Sequence, residues 1–444
     1  MTAFGDRRVG LEQEFFLVNE RGVLSDRAEE FLSRYREVAE SVGRDPDGFA
    51  PECAPCMVEM DTPPAYSLEE LSREYLDNLQ VALDAGRELG LRLYPLATYP
   101  LGMEPVIRDE LHYKVQAHTV GPKRFAHAGR CAGAHLHLEV AAGTIDPRVG
   151  VSYDASKAAR EELLNLYNLA TALDAAIIAL TRSCPYYAGK VTGLATRTAL
   201  YRGDPYLAPH GLYAWFEEIG GLRPYAGRVE ELVELQFSRY HAWLGAMDRA
   251  GVERRLFFEA GGGLLQGSSW NPVRINALGT VELRGLDTNY PEKILAVGAL
   301  VESVVERVHQ ERLTVLPHEG VRTFEVIGKT LFIPGFSYLS RDLFRAAMTG
   351  GAESKEVASY LDSILEFARA GRGNAEENNF ENLKAAGRYR TTEAEILRSF
   401  TPSASRRLSE DRGLELVREA CDELEEQVAS LRHREATKVG TNGD

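Results

Sequence analysis

Glu12 and Glu14 stand two apart in Val9-Gly10-Leu11-Glu12-Gln13-Glu14-Phe15-Phe16-Leu17-Val18, a run rich in branched and aromatic residues. Such a run reads as a β-strand. Successive side chains on a strand point to opposite faces, so both carboxylates share one face. Val9, Leu11, Phe15 and Leu17 take the other face. Two adjacent carboxylates repel each other and resist desolvation, and a cation between them relieves both costs.

The pattern recurs. In Ala132-Gly133-Ala134-His135-Leu136-His137-Leu138-Glu139-Val140, the residues His135, His137 and Glu139 share a face. In Gly279-Thr280-Val281-Glu282-Leu283-Arg284-Gly285-Leu286, Glu282 and Arg284 do the same. A fourth segment, from Glu52 to Asp61, ends in a strand-like stretch carrying Glu59.

Glu12, Glu14, Glu52, Glu59 and Glu282, with one or both of His135 and His137, form a hard, oxygen-rich ligand set. It suits Mg²⁺ or Mn²⁺ better than Zn²⁺. Five carboxylates exceed the need of one Mg²⁺ ion, so two or three ions are expected. Several divalent ions in one cavity imply a polyanionic ligand, and a nucleoside triphosphate such as ATP is the obvious candidate. Arg284 and Arg274 would face its phosphates. No G-x-x-x-x-G-K-[ST] loop occurs, so metals and arginines must replace a glycine cradle.

The elements that hold these residues alternate irregularly. Strands are expected at about 8–18, 56–61, 91–97 and 279–286, with the His-x-His strand between the last two. Helices are expected at about 26–43, 156–182, 228–250 and 291–313. Another helix opens at the capping box Ser67-Leu68-Glu69-Glu70 and stops at Gly90. A loop and helix at 108–130 would form the mouth of the site, and the Gly-, Pro- and Tyr-rich residues 184–225 a ligand-flanking loop. The mixed order favours an α+β fold with an antiparallel or mixed sheet, helices on one face and a cavity on the other. We expect a catalytic part over 1–314, a mostly helical C-terminal part over 315–434 and a disordered tail at 435–444.

The 444 residues suffice for one large domain or two ordinary ones. The net charge of −15 disfavours nucleic acid as a partner. No long apolar run suggests a membrane span, and no apolar signal core opens the chain, so a cytoplasmic protein is expected. Five cysteines argue against a disulfide framework. Cys53 and Cys56 have C-x-x-C spacing but lack the further ligands of a zinc site. They read as coincidence or as a redox-sensitive pair beside the site.

Taken in order, these segments resemble glutamate–cysteine ligase family 2, the bacterial carboxylate–amine ligases, which share a superfamily with glutamine synthetase. The resemblance rests on Val9–Val18, Glu52–Glu59 with Thr62-Pro63, Gly133–His137 and Gly279–Arg284, and covers about residues 8–310. It implies a glutamine-synthetase-like half-barrel, a curved antiparallel sheet with helices on its outer face. It implies Mg²⁺ ligation by Glu12, Glu14, Glu52, Glu59, His135 and Glu282, with His137 near the phosphates. Arg284 would stabilise the transferring phosphoryl group, and Arg274 the nucleotide or a substrate carboxylate. The implied reaction is ATP-dependent joining of L-glutamate to L-cysteine through a γ-glutamyl phosphate, and homodimers occur among such enzymes. Glu139 and Met60-Asp61 depart from the family pattern and bear on the acceptor. A different amine acceptor, a guanidino-group phosphotransferase on the same fold, and a metal–nucleotide binding protein without turnover are the competing readings.

Overall fold

The computed structural model describes residues 7–371, 379–400 and 406–441. Its main sheet has seven strands: β1 (Val9–Asn19), β2 (Phe49–Pro51), β3 (Met57–Asp61), β4 (Leu91–Tyr94), β5 (Gly133–Glu139), β6 (Val273–Asn276) and β7 (Thr280–Asp287). Their order is β2-β3-β1-β5-β7-β6, with β4 also paired to β1, and every pairing is antiparallel. The fold is α+β, as the sequence pattern indicates.

The helices that matter most here are α1 (Ala28–Ser41), α2 (Leu68–Leu89), α3 (Lys157–Thr181), α4 (Thr196–Tyr201), α5 (Val229–Ala250), α6 (Pro291–Gln310) and α7 (Glu410–Thr441). Helix α2 begins where the capping box predicts. The Ser67 hydroxyl accepts from the Glu70 N–H at 3.1 Å, and the Glu70 carboxylate accepts from the Tyr66 N–H at 2.8 Å. It ends at Gly90, whose φ of +65° is the left-handed cap glycine adopts without strain.

One face of the sheet builds the main core. Val9, Leu11, Phe15 and Leu17 of β1 join Leu136, Leu138, Val281, Leu283 and Ile275 against α2, α3 and α6. Each such side chain contributes about 1.5–3 kcal/mol on burial. Gln13 is the polar exception on this face. Its amide donates to Thr288 Oγ1 and the Asn289 carbonyl, each at 2.8 Å, and accepts from the Tyr75 hydroxyl at 2.7 Å. Satisfied this way, a buried amide costs little.

The same core crosses residue 314. Val315, Leu331 and Ile333 belong to it, as do Leu424 and Val428 of α7. The segment read as mostly helical opens with strands β8 (Thr314–His318), β9 (Glu325–Ile327) and β10 (Thr330–Pro334). Pro317 and the shortness of these strands hid them from a periodicity reading. Of the tail expected at 435–444, residues 435–441 instead continue α7, through residues such as Glu435 and Ala436 that favour helix, and 442–444 lie outside the described residues. Helix α3 is long and apolar enough to cross a membrane by composition, but 89% of its apolar window is buried inside the protein.

The other face is divided. Glu12 and Glu14 lie at its middle, whereas Phe16 and Val18 enter a second core with Tyr94, Leu416, Val417 and Cys421. Cys53 and Cys56 are buried as free thiols in that second core.

Candidate metal centre

Register places the chemistry in one patch. Glu14 lies opposite Glu59, and Glu12 stands between Asp61 and His135. His137 pairs with Glu282, which pairs with Arg274. Between the pairs Ala134–Leu286 and Leu136–Leu283 the register slips. Arg284 and Gly285 therefore both oppose His135, a bulge that keeps Arg284 on the polar face while Leu286 returns to the core.

Glu12 bridges two imidazoles. Its Oε2 lies 2.8 Å from His135 Nδ1 and its Oε1 2.9 Å from His137 Nε2. Burial pushes the Glu12 carboxyl up, but the two imidazoles prevail and hold it well below its ordinary value. His135 Nε2 lies 3.8 Å from Glu14 Oε1. His135 Nε2 is buried without a hydrogen-bond partner, whereas His137 Nε2 faces the Glu12 carboxylate.

Glu282 is fully buried and strongly neutralised. Arg274 donates to it at 2.5 and 3.0 Å, Asn276 at 2.6 Å, and Arg284 from its other side. Burial opposes ionisation of Glu282, yet Arg274 and Arg284 hold its carboxyl well below the usual range. Glu59 has no such company, and Glu14 and Glu52 have less of it: Arg197 and the Gly133 N–H act on Glu14, and Arg284 and the Cys53 N–H on Glu52, without offsetting burial. Burial and mutual repulsion push Glu59 well above the ordinary carboxylate value, and burial raises Glu14 and Glu52. Asp61, raised to about 6 by burial and by Glu12, belongs to the same field.

Three overlapping sets bring ligand atoms within 4.8 Å of one another: Glu12, Glu59 and His135; Glu12, His137 and Glu282; Glu14, Glu52 and Glu59. All six residues expected as metal ligands fall in these sets. His137, which the residue pattern offered as a second imidazole ligand and the resemblance put beside the phosphates, falls in one too. The unpartnered His135 Nε2 and the carboxylates whose ionisation burial disfavours both fit divalent cations, which would supply the missing positive charge. Arg274 and Arg284, expected to face phosphate, both contact Glu282 at the edge of this patch. Glu139 does not join it. Its carboxylate binds Arg8 at the strand end, at 2.5 Å to the guanidinium and 3.0 Å to the backbone N–H.

Arg197, which no sequence motif singles out, completes the patch from α4. It is buried, donates to the Arg284 carbonyl at 3.3 Å, and lies against the Cα of Gly133. Any Cβ at Gly133 would collide with that guanidinium, and the Gly133 N–H donates to Glu14 at 2.6 Å. The only sequence signal was its place in the loop-rich stretch 184–225.

A model of glutamate–cysteine ligase family 2 matches residues 8–326, and the chain belongs to that family. A Rhodococcus jostii (strain RHA1) protein bearing the name glutamate–cysteine ligase 2-1 is 31% identical over 147 residues, which are 32% of this chain and 37% of that protein. Among solved structures, a bifunctional glutathione synthetase from Pasteurella multocida matches with a TM-score of 0.48 and 14% identity, over 96% of this chain and 53% of that one. Glutamate–cysteine ligase from Francisella tularensis, solved with AMP, matches with a TM-score of 0.44 and 12% identity, over 97% and 94% of the two chains.

Proposed function

We propose that this protein is an ATP- and Mg²⁺-dependent carboxylate–amine ligase that forms a γ-glutamyl amide, with L-cysteine as the acceptor. The carrying observation is that three acidic ligand sets and two guanidiniums gather on one face of one sheet, Glu52 joining from the connection just past β2, in a chain of this family.

The reaction has two steps. A γ-carboxylate oxygen of glutamate attacks the terminal phosphorus of ATP, the bond to ADP breaks, and an acyl phosphate forms. The acceptor amine then attacks the acyl carbon, the C–O bond to phosphate breaks, and the ammonium proton is released. When bound, divalent cations neutralise the repulsion between triphosphate and carboxylate. Glu12, Glu14, Glu52, Glu59, Glu282 and His135 would hold them, with His137 in reach of the same set. Arg284 is fixed by Glu282 beside His135 and would meet charge developing on the transferred phosphoryl group. Arg274 would orient nucleotide or substrate carboxylate, and the bonds from Arg274 and Asn276 keep Glu282 ionised and aimed.

The test is coupled ADP release with ATP, Mg²⁺ and L-glutamate, with and without L-cysteine, together with product masses. Cysteine-dependent release with a γ-glutamylcysteine mass supports the reading. Glutamate-dependent release indifferent to cysteine replaces the acceptor with another amine. A phosphorylated guanidino product without an amide, or no release at all, overturns the ligase reading.

A further inference from the structure

Beside Arg274 lies a small pocket with a surplus of positive charge. Tyr167 of α3, Arg223, Gln236 and Arg239 of α5, Asn271 and Arg274 line it. Its volume is about 10 Å³, room for the centre of one water-sized guest.

Arg239 is 3% exposed. Its terminal nitrogens reach Ser269 Oγ at 3.0 Å and the Leu265 carbonyl, and its Nε is buried without a partner. The Nε of Arg223 is also buried without a partner, and its other recorded bond is a 3.5 Å contact with Ser238. Gln236, 4% exposed, has a buried, unpartnered amide oxygen, and an amide flip would present a donor there instead. Among the described residues, no carboxylate bonds to Arg223 or Arg239. Glu282, which bonds Arg274, is already shared with Arg284 and Asn276. Burial, with Arg274 and Arg223 nearby, lowers the Arg239 guanidinium to about 9. Buried guanidiniums are retained with paired negative charge, and the chain supplies none at this point.

We propose that this pocket binds a halide-sized monovalent anion, chloride in the cell, held by Arg239, Arg223 and Gln236. The pocket is too small for phosphate or a substrate carboxylate. Because Arg274 lines it while also bonding Glu282, the bound anion would fix how that guanidinium divides its charge. This last consequence rests on the ligase reading; the binding does not.

The test uses the full-length protein and bromide as the probe. Crystals grown with sodium bromide should show one anomalous peak in contact with the Arg239 and Arg223 side chains. In solution, replacing sodium gluconate by sodium bromide at constant ionic strength should raise Tm. Arg239→Gln and Arg223→Gln should each weaken that halide response by about tenfold or more. Absence of the peak, or equal halide shifts in wild type and both variants, overturns the site. Stabilisation by phosphate with none by halide overturns the monovalent assignment. Neither readout requires turnover, so failure here and failure of the ligase reading are separable; if a variant does not fold, the wild-type crystal decides.

Discussion

At the β6–β7 edge of the polar face, Glu282 is surrounded by Arg274, Arg284 and Asn276, and its charge is balanced by the chain itself. At the β1–β3 edge, Glu14, Glu52 and Glu59 face one another, and the neighbours that act on Glu59 are all carboxylates that disfavour its ionisation. Glu12 and the two histidines lie between these regions and touch both. The contrast separates two kinds of function within one sheet. Guanidiniums fixed by a buried carboxylate are ready to meet developing negative charge. Carboxylates whose charge the chain does not balance fit the divalent cations proposed above.

Substitution by glutamine at the two edges breaks the comparison most sharply, because the expected signs are opposite. Glu282→Gln leaves the half-buried Arg274 and Arg284 without their carboxylate, and should cost about 1.5–3 kcal/mol in urea unfolding, together with loss of turnover. Glu59→Gln removes a carboxylate whose ionisation burial and its acidic neighbours already disfavour. It should leave the metal-free protein unchanged or stabilise it by about 1 kcal/mol, while weakening Mn²⁺ binding by about a hundredfold or more. A destabilisation of similar size in both variants would erase the distinction.

Cations sharpen the contrast next. Mg²⁺ at one hundred times its dissociation constant should stabilise the fold by about 2.7 kcal/mol per independent site, read as a rise in Tm. Without cations, stability should depend on pH in a stated direction. Asp61 moves from 3.8 to about 6 on folding, so between those values the native state holds more protons than the unfolded chain. Its contribution is therefore present below 3.8 and lost as pH rises through about 6. Glu14 and Glu59, raised by burial and by neighbouring carboxylates, act in the same sense. Glu12 and Glu282 act oppositely: their stabilisation is present above 4.5 and fades as pH falls. Urea unfolding across pH 4–8 with EDTA should show the decline, and saturating Mg²⁺ should remove it.

The smallest effect serves as the control. Ser67→Ala removes the cap of α2 at a cost of about 1 kcal/mol. That cost should be equal with and without Mg²⁺, because the cap lies outside both carboxylate groupings.

The period-two strands displayed most of this site in the sequence. Alternation alone put Glu12 with Glu14, His135 with His137, and Glu282 with Arg284. The Ser67 and Gly90 signals bounded α2 to within a residue. What pairing decides was not visible in the same way. That Arg274 faces Glu282 depends on the β6–β7 register, and that Glu139 turns to Arg8 depends on how β5 ends. Arg197 arrives from a short helix far along the chain, and its link to Gly133 is purely tertiary. The strands after residue 314 are short, with few inward-facing side chains, and α7 has little amphipathic pattern to announce its length.

The central claim is that the β1–β3 carboxylates exist to hold divalent cations. Titration of Mn²⁺ into the protein with a non-hydrolysable ATP analogue, followed by electron paramagnetic resonance, measures this directly. The account predicts more than one tightly bound Mn²⁺ per chain, with Glu59→Gln losing at least one while keeping its fold. Equal Mn²⁺ binding by wild type and Glu59→Gln, or no saturable binding by wild type, would contradict it.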